Sequence, residues 1–97
     1  MMNINFNKEQ NTLNVALEGR LDTTTAPEFE SFLNANYAGT DMLVIDCEQL
    51  AYISSAGLRV LLSAQKKTAG AMKLKNVGEL VMEVFEMTGF VDILTIE

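Results

Sequence analysis

Short strand-type runs alternate with helix-type apolar stripes along this chain, and that alternation constrains the fold more than any single motif does. Near the start, apolar side chains recur at every second position, which is the period of a half-buried strand. The first run contains Ile4 and Phe6, and the second contains Leu13, Val15 and Leu17. A turn-like segment at 8–11 separates them. The chain is therefore predicted to open with an antiparallel hairpin whose second strand ends at Gly19.

A first helix is predicted after this hairpin. Thr25 and Glu28 have the spacing of a capping box, in which Glu28 reaches back to the backbone, and Pro27 suits the first turn. The next residues form a core-facing stripe at helical spacing: Phe29, Phe32, Leu33 and Tyr37. Gly39 is placed to end this helix.

The middle of the chain predicts a central strand and a second helix. Residues 42–47 form a short apolar run, typical of a strand covered on both faces, and a loop is expected over residues 48–53. A helix with an apolar and a basic face should follow and end at Gly70. Its apolar face has Leu58, Leu61, Leu62 and Gln65, and its opposite face has Arg59, Ser63, Lys66 and Lys67.

The last third predicts one more strand, one more helix and an apolar tail. Met72 and Leu74 indicate the strand, and Gly89 should end the helix. The helix has an apolar stripe of Leu80, Val81, Val84, Phe85 and Thr88. Met72, Met82 and Met87 are expected to fill the core, and the alternative is that they mark an adaptable binding surface. The tail over residues 91–96 could form an edge strand or a short helix.

The resulting order is β-β-α-β-α-β-α followed by the apolar tail. Its 97 residues fit one domain over residues 1–97, because single domains most often have about 100–150 residues. Strands that alternate with helices form a sheet with helices packed against it, and right-handed crossovers make the helix-connected strands parallel. We therefore predict the α/β class, with a mixed sheet opened by an antiparallel hairpin.

The residues that the chain lacks exclude many functions. There is no histidine and only one cysteine, Cys47, so His-dependent nucleophiles, His-ligated metals and internal disulfides are not expected, nor is any cofactor. The net charge is −6, and the basic stretch at 59–75 lacks the aromatic residues of a nucleic-acid site. No apolar run approaches the roughly 20 residues of a membrane span. We expect a soluble, cytoplasmic, non-enzymatic protein without direct nucleic-acid binding or membrane insertion.

Two adjacent serines and a glycine occupy the predicted start of the second helix. Free backbone N–H groups at such a position favour an oxyanion, including one attached covalently to a serine. The structural alternative is that Ser54 or Ser55 caps the helix while Gly57 allows close packing. A serine without a histidine or lysine partner is a poor nucleophile, but a hydroxyl that another enzyme phosphorylates needs no base of its own.

These residues carry a family resemblance. The run Tyr-Ile-Ser-Ser-Ala-Gly-Leu-Arg-Val-Leu-Leu begins at Tyr52, Val-Ile-Asp-Cys occupies residues 44–47, and Glu-Gly-Arg-Leu-Asp occupies residues 18–22. Together they resemble the STAS family, the sulfate transporter and anti-sigma factor antagonist domain, over essentially the whole chain. The resemblance implies a stand-alone bacterial anti-sigma factor antagonist. Such proteins bind an anti-sigma factor with serine kinase activity, lose binding on phosphorylation, and recover it through a PP2C-type phosphatase.

The resemblance also implies site residues. Many members have a modified hydroxyl directly before the glycine, where this chain has Ala56; in members that read Ser-Ser-Ala-Gly-Leu-Arg, the second serine is the expected acceptor. Ser55 is therefore the predicted phosphorylation site, with Ser54 in reserve. The predicted partner surface consists of Asp22, Asp46, Ser54, Ala56, Gly57 and Arg59. Asp22 and Asp46 match acidic family positions at predicted strand ends, and equally suit caps or turns.

Two other interpretations stay open. A constitutive STAS scaffold subunit of a transport complex would use the serines only as a helix cap, and Ala56 favours it. A small enzyme or nucleotide-binding module would need a phosphate-binding glycine motif that the chain lacks. In the leading hypothesis, a phosphate on Ser55 adds about −1.5 to −2 charge beside Asp22 and Asp46, and acts by electrostatics and sterics without refolding.

Overall fold

The computed structural model describes residues 2–97 and contains a four-stranded mixed sheet with the strand order β1-β2-β3-β4. Strands β1 and β2 pair antiparallel, whereas β2 with β3 and β3 with β4 pair parallel. The elements are β1 (Met2–Glu9), β2 (Thr12–Leu21), α1 (Ala26–Asn36), β3 (Met42–Ile53), α2 (Ser55–Lys67), β4 (Met72–Lys75), α3 (Glu79–Thr88) and a 3₁₀ turn (Phe90–Asp92). This confirms the predicted order and the α/β class.

A two-residue turn closes the opening hairpin. Gln10 and Asn11 have φ angles of 49° and 67°, which are the left-handed values that a type I′ turn requires at both central positions. Glu9 then pairs with Thr12, and this register continues to Met2 opposite Gly19. The turn therefore fixes which residues of β1 and β2 point to each face of the sheet.

One face of the sheet is buried under the helices. The largest fully buried side chains are Phe29, Phe85, Leu13, Leu17, Leu21, Leu43, Ile45, Ile53, Leu61, Met72, Leu74 and Val15. The opposite face carries residues that are exposed or half-buried, among them Asn5, Asn14, Val44 and Asp46. The prediction that β3 is covered on both faces is therefore wrong, because Leu43 and Ile45 are buried on one face whereas Val44 and Asp46 on the other face are partly exposed.

Strands β2 and β3 are longer than the sequence predicts. The expected loop at 48–53 is strand, and β2 continues past Gly19 to Leu21. The pairing register shifts between Ala16 and Glu18 and again after Gly19, where φ is 108°. Each shift places one extra residue in β3, which breaks the alternation of its buried residues after Cys47 without ending the strand.

The start of α1 differs from the predicted capping box. Thr25 is the N-cap residue, but its side chain makes no capping hydrogen bond. Its hydroxyl instead donates to the Arg20 carbonyl at 2.7 Å and accepts from the Asp22 backbone N–H at 2.9 Å. Thr25 is buried, and through these two hydrogen bonds its hydroxyl holds the β2–α1 turn together.

Helix α3 buries a narrower stripe than predicted. Val81 and Phe85 are buried, whereas Leu80 and Met87 are 70% and 80% exposed and Thr88 is also exposed. Val81 and Phe85 form one i, i+4 row against the core, and Met82 and Val84 are only partly buried beside it. The expectation that Met87 fills the core is wrong, whereas Met72 does lie there.

The apolar tail combines both predicted forms. After the 3₁₀ turn, Ile96 forms an isolated parallel bridge with Leu74 of β4. The Leu74 N–H donates to the Thr95 carbonyl at 2.9 Å, and the Glu97 N–H donates to the Leu74 carbonyl at 2.8 Å. The tail therefore adds a short edge to the sheet. Within residues 2–97, no helix is long and apolar enough to cross a membrane.

Candidate functional site at the start of the second helix

The serine pair lies where β3 ends and α2 begins. Ser54 has extended backbone angles, and its Oγ accepts from the Gly57 N–H at 3.5 Å, so Ser54 is the N-cap of α2. The Ser54 N–H donates to the Leu21 carbonyl at 2.9 Å. Ser54 thus ties the helix start to the end of β2, and its hydroxyl is engaged in the cap.

Gly57 allows α2 to approach the sheet closely. A Cβ atom at this position would be 2.8 Å from the Leu21 carbonyl oxygen and 2.8 Å from Ile53 Cγ1. Its backbone φ is not in the left-handed region, so the requirement for glycine is steric. Gly57 is buried and therefore supports the predicted partner surface from below rather than contacting a partner.

Ser55 occupies the first turn of α2 and is exposed. The first N–H groups of any helix have no intrahelical acceptor, and here Ser54 Oγ satisfies only that of Gly57. The N–H groups of Ser55 and Ala56 therefore remain available at the positive end of the helix dipole. An anionic group on the Ser55 side chain would lie in a favourable position.

Asp22 forms a rigid turn beside this helix start. Leu21 pairs with Ile53 across the sheet. Asp22 and Ser54 are the next residues after these paired strand ends, and therefore lie side by side, about 5 Å apart. The Asp22 carboxylate accepts from the N–H groups of Thr24 and Thr25 at 3.0 and 3.2 Å. The hydrogen bond from the Thr25 N–H, aided by that from Thr24, holds the pKa of Asp22 below its ordinary value of 3.8. Asp22 is thus an ionised turn former at the predicted site.

Arg20 lies beside Asp22 and is not among the site residues predicted from the sequence. The Arg20 guanidinium lies 4.2 Å from the centre of the Tyr52 ring, and its Nε is 3.6 Å from Asp22 Oδ2. Arg20 and Tyr52 are paired in the sheet register, which places them on the same face. The contact could not be predicted from the sequence, because β2 is predicted to end at Gly19 and β3 at Cys47, before these two residues.

A groove between α1 and α2 borders the same surface. It has a volume of about 390 Å³ and is lined by Thr23, Ala26, Pro27, Glu30, Ala56, Arg59, Val60 and Ser63. Arg59 is exposed and lies four residues after Ser55, so the two share one helix face. Pro27 and Glu30 enter the candidate site only through packing of α1 on α2, which no local sequence pattern reveals.

Asp46 does not belong to this site, contrary to the prediction. It lies within β3 and pairs with Ala16, which precedes Leu21 by five residues, or about 17 Å along the strand. Its carboxylate accepts from the Asn76 amide at 3.1 Å and the Glu48 N–H at 3.0 Å. The error follows from the underestimated length of β3, which put Asp46 at a strand end. The site is consequently less acidic than expected.

The one cysteine of the chain, Cys47, is buried. Burial, with a smaller contribution from Asp46, raises the pKa of the Cys47 thiol to about 12, so this side chain stays protonated. Residues 2–97 contain no cluster of His, Cys, Asp or Glu that could hold a metal ion. What the site offers is a surface: an exposed hydroxyl, a helix N-terminus, Asp22, Arg20 and Arg59.

Comparison with known proteins places this arrangement in a family. The family model of the STAS domain matches residues 3–97. The chain belongs to the STAS domain family. Among curated STAS relatives, it is 34% identical to BtrV of Bordetella bronchiseptica, which is named as an anti-sigma factor antagonist, over 98% of this chain and 85% of BtrV. It is 28% identical to the anti-sigma-B factor antagonist of Bacillus subtilis, over 98% of this chain and 90% of that protein.

Solved STAS-type structures have the same fold. An anti-sigma factor antagonist from Mycobacterium paratuberculosis superimposes with a TM-score of 0.88 at 21% identity, covering 99% of this chain and 85% of that chain. The phosphorylated form of the Bacillus cell fate determinant SpoIIAA has a TM-score of 0.74 at 17% identity, covering 98% of this chain and 91% of that chain. The predicted family resemblance is thereby confirmed.

Proposed function

We propose that this STAS domain protein is an anti-sigma factor antagonist whose partner binding is switched by phosphorylation of Ser55. In this proposal it binds an anti-sigma factor with serine kinase activity when Ser55 is unmodified. The kinase transfers the γ-phosphoryl group of ATP to Ser55 Oγ, and the complex dissociates. A PP2C-type phosphatase then hydrolyses the phosphoserine and restores binding.

The observation that carries the proposal is that the two serines differ in hydrogen bonding and in exposure. The Ser54 hydroxyl is half-buried and accepts the capping hydrogen bond from Gly57. Ser55 is exposed in the first turn, where its Oγ can reach a kinase without any loss of the cap. This contrast favours Ser55 over Ser54 as the phosphate acceptor.

The surface around Ser55 is suited to a protein partner. Asp22 supplies a negative charge on one side, whereas Arg20 and Arg59 supply positive charges, so a partner needs complementary charges of both signs. The groove beside Ala56 and Arg59 can accept a side chain from the partner. The site therefore supports specific recognition through its charge pattern as well as its shape.

Phosphorylation changes this surface far more than it changes the fold. A phosphate adds about −1.5 to −2 charge and three acceptor oxygens at a position where the unmodified hydroxyl is neutral. The start of α2 stabilises it by roughly 0.3–1 kcal/mol, and Arg59 lies one turn away on the same face. An interface that loses ~3 kcal/mol becomes a little over a hundredfold weaker, which is sufficient for a switch.

The relatives support the regulatory class. Two curated proteins that align with almost all of this chain are named as anti-sigma factor antagonists, and a protein of the same fold has been solved in a phosphorylated form. The chemical groups at the site agree with a protein that is modified by another enzyme.

The proposal is tested by phosphorylation with the cognate serine kinase and ATP, followed by intact-mass and peptide mass spectrometry. We expect one phosphate per chain in the wild type and in Ser54→Ala, and none in Ser55→Ala. Modification of Ser54 in the wild type would refute the assigned acceptor. No phosphate on any variant, although the kinase binds the chain and modifies a control substrate, would favour the constitutive scaffold interpretation.

A further inference from the structure

Strand β1 leaves one edge of the sheet open. It is the first strand in the order β1-β2-β3-β4, and no other strand within residues 2–97 pairs with its outer side. Long edge strands are usually protected by charges, proline or bulges. In β1, Lys8 and Glu9 lie only at the hairpin end, and the preceding residues Met2 to Asn7 carry no charge.

The hairpin geometry determines which backbone groups face this open edge. A type I′ turn makes Glu9 and Thr12 a hydrogen-bonded pair, and such pairs alternate along an antiparallel ladder. Asn3, Asn5 and Asn7 therefore bond to β2. The N–H and C=O groups of the intervening residues, Ile4, Phe6 and Lys8, face outward.

The outward groups occur in a segment whose alternation of asparagine and apolar residues is the same in both directions. Residues 3–7 read Asn-Ile-Asn-Phe-Asn, with Asn5 at the centre. If two such strands pair antiparallel about Asn5, each apolar residue lies opposite an apolar residue and each asparagine opposite an asparagine. The pairs are Ile4 with Phe6, Phe6 with Ile4, Asn3 with Asn7, Asn7 with Asn3, and Asn5 with Asn5 of the second copy.

We propose that β1 is a homodimerisation edge, where two copies of this chain join antiparallel about Asn5 into one eight-stranded sheet. Ile4 and Phe6 of opposite copies form hydrogen-bonded pairs, because both direct their backbone groups outward. Asn5 faces Asn5 in a non-hydrogen-bonded pair, in which side chains approach most closely. This inference does not depend on the proposed function.

The side chains at this edge favour a second copy as the occupant. Phe6 is 51% exposed and meets Phe32 of α1 edge-on, with ring centres 4.8 Å apart, so an apolar surface already lies beside the open strand. The Ile4 of a second copy would cover Phe6 from the other side. In this register Lys8 lies opposite Met2, so no like charges face each other across the pair.

The dimer would leave both candidate sites free. Ser55 follows the carboxyl end of β3, whereas β1 lies two strands away on the edge of the sheet. Because the two β1 strands run in opposite directions, the two Ser55 surfaces lie at opposite ends of the joined sheet. Each copy could therefore bind its own partner.

Cysteine cross-linking tests the register directly. Cα atoms in a non-hydrogen-bonded antiparallel pair are about 4.5 Å apart, which lies within the range for a disulfide. Asn5→Cys should therefore form a covalent dimer in mild oxidant. Asn3→Cys and Asn7→Cys should each fail alone, because like positions are then about 13 Å apart, but a mixture of the two should cross-link. The native Cys47 is buried and does not interfere.

Sedimentation equilibrium provides the second measurement. We expect the mass of the wild type to rise towards that of a dimer with concentration, and Phe6→Lys to stay monomeric while unfolding cooperatively in a thermal melt. Equal cross-linking by all three single-cysteine variants, or cross-linking by Asn3→Cys alone, would overturn the proposed register. A wild type that stays monomeric at millimolar concentration would overturn the dimer.

Discussion

Gly57 lies so close to Leu21 that a Cβ atom on the glycine would be 2.8 Å from the Leu21 carbonyl oxygen. That carbonyl also accepts the N–H of Ser54, the N-cap of α2. One backbone oxygen of β2 therefore fixes both the position of the cap and the approach of the first helical turn. The exposure of Ser55 depends on this contact, because Ser55 lies between the two anchored residues.

Replacing Gly57 should loosen this junction. Gly57→Ala places a methyl group against a backbone oxygen that cannot rotate away, and overpacking of this kind costs about 1–3 kcal/mol. We expect a loss of that size in the free energy of unfolding, measured by urea denaturation. Ser63→Ala, on the exposed side of the same helix, should change it by less than about 0.5 kcal/mol. Equal effects of both substitutions would contradict the packing assigned to Gly57.

Substitution of the two serines should have different effects on the stability of the fold. Ser54→Ala removes the capping acceptor and should cost about 0.5–1 kcal/mol, at the lower end for a cap because the hydrogen bond is 3.5 Å long. Ser55→Ala should leave stability within about 0.5 kcal/mol, since its side chain is exposed. Thermal melts of the two variants check this order. A Ser55→Ala variant less stable than Ser54→Ala would reverse the assigned roles.

The ionised Asp22 turn predicts a pH dependence of stability. Because the folded pKa of Asp22 is lowered below 3.8, its charge contributes stability that is fully present above about pH 5 and is lost as the pH falls through the folded pKa. Asp22→Asn keeps an acceptor oxygen for the turn but removes the charge. The wild type should therefore be more stable than Asp22→Asn at neutral pH, and the difference should shrink below pH 3.8.

Denaturant titrations of both proteins across this range measure the difference. Asp46→Asn serves as the control, because Asp46 lies on the open face of the sheet, away from the Asp22 turn. A difference between the wild type and Asp22→Asn that does not change with pH would contradict the role of the charge.

Partner binding should distinguish Asp46 from Arg59, which both belong to the partner surface predicted from the sequence. Asp46 pairs with Ala16, five residues or about 17 Å before Leu21 along β2, so Asp46→Asn should leave affinity for the anti-sigma factor unchanged. Arg59→Ala removes an exposed side chain one turn from Ser55 and should weaken binding by about tenfold, equivalent to 1.4 kcal/mol. Biolayer interferometry with immobilised partner measures both. A larger effect of Asp46→Asn would place the interface on the open sheet face.

The sequence predicted those features that depend on local periodicity. The hairpin, the three helices and the Ser54–Gly57 helix start all follow from residue spacing, and all are present. The two bulges in β3 could not be predicted in this way, because they shift the pairing with β2 while both strands continue. Because the lengths of β2 and β3 were underestimated, Asp46 was wrongly assigned to the candidate site and the Arg20–Tyr52 contact was not predicted. The groove beside Arg59 was also missed, because it depends on how α1 packs on α2.

The central claim is that a phosphate on Ser55 weakens partner binding without unfolding the chain. Isothermal titration of the anti-sigma factor with unmodified protein and with fully Ser55-phosphorylated protein tests it most directly, with thermal melts of both forms as the control for folding. We expect a loss of affinity of at least a hundredfold, equivalent to about 3 kcal/mol, with a melting temperature changed by only a few degrees. Equal affinity of the two forms would contradict it.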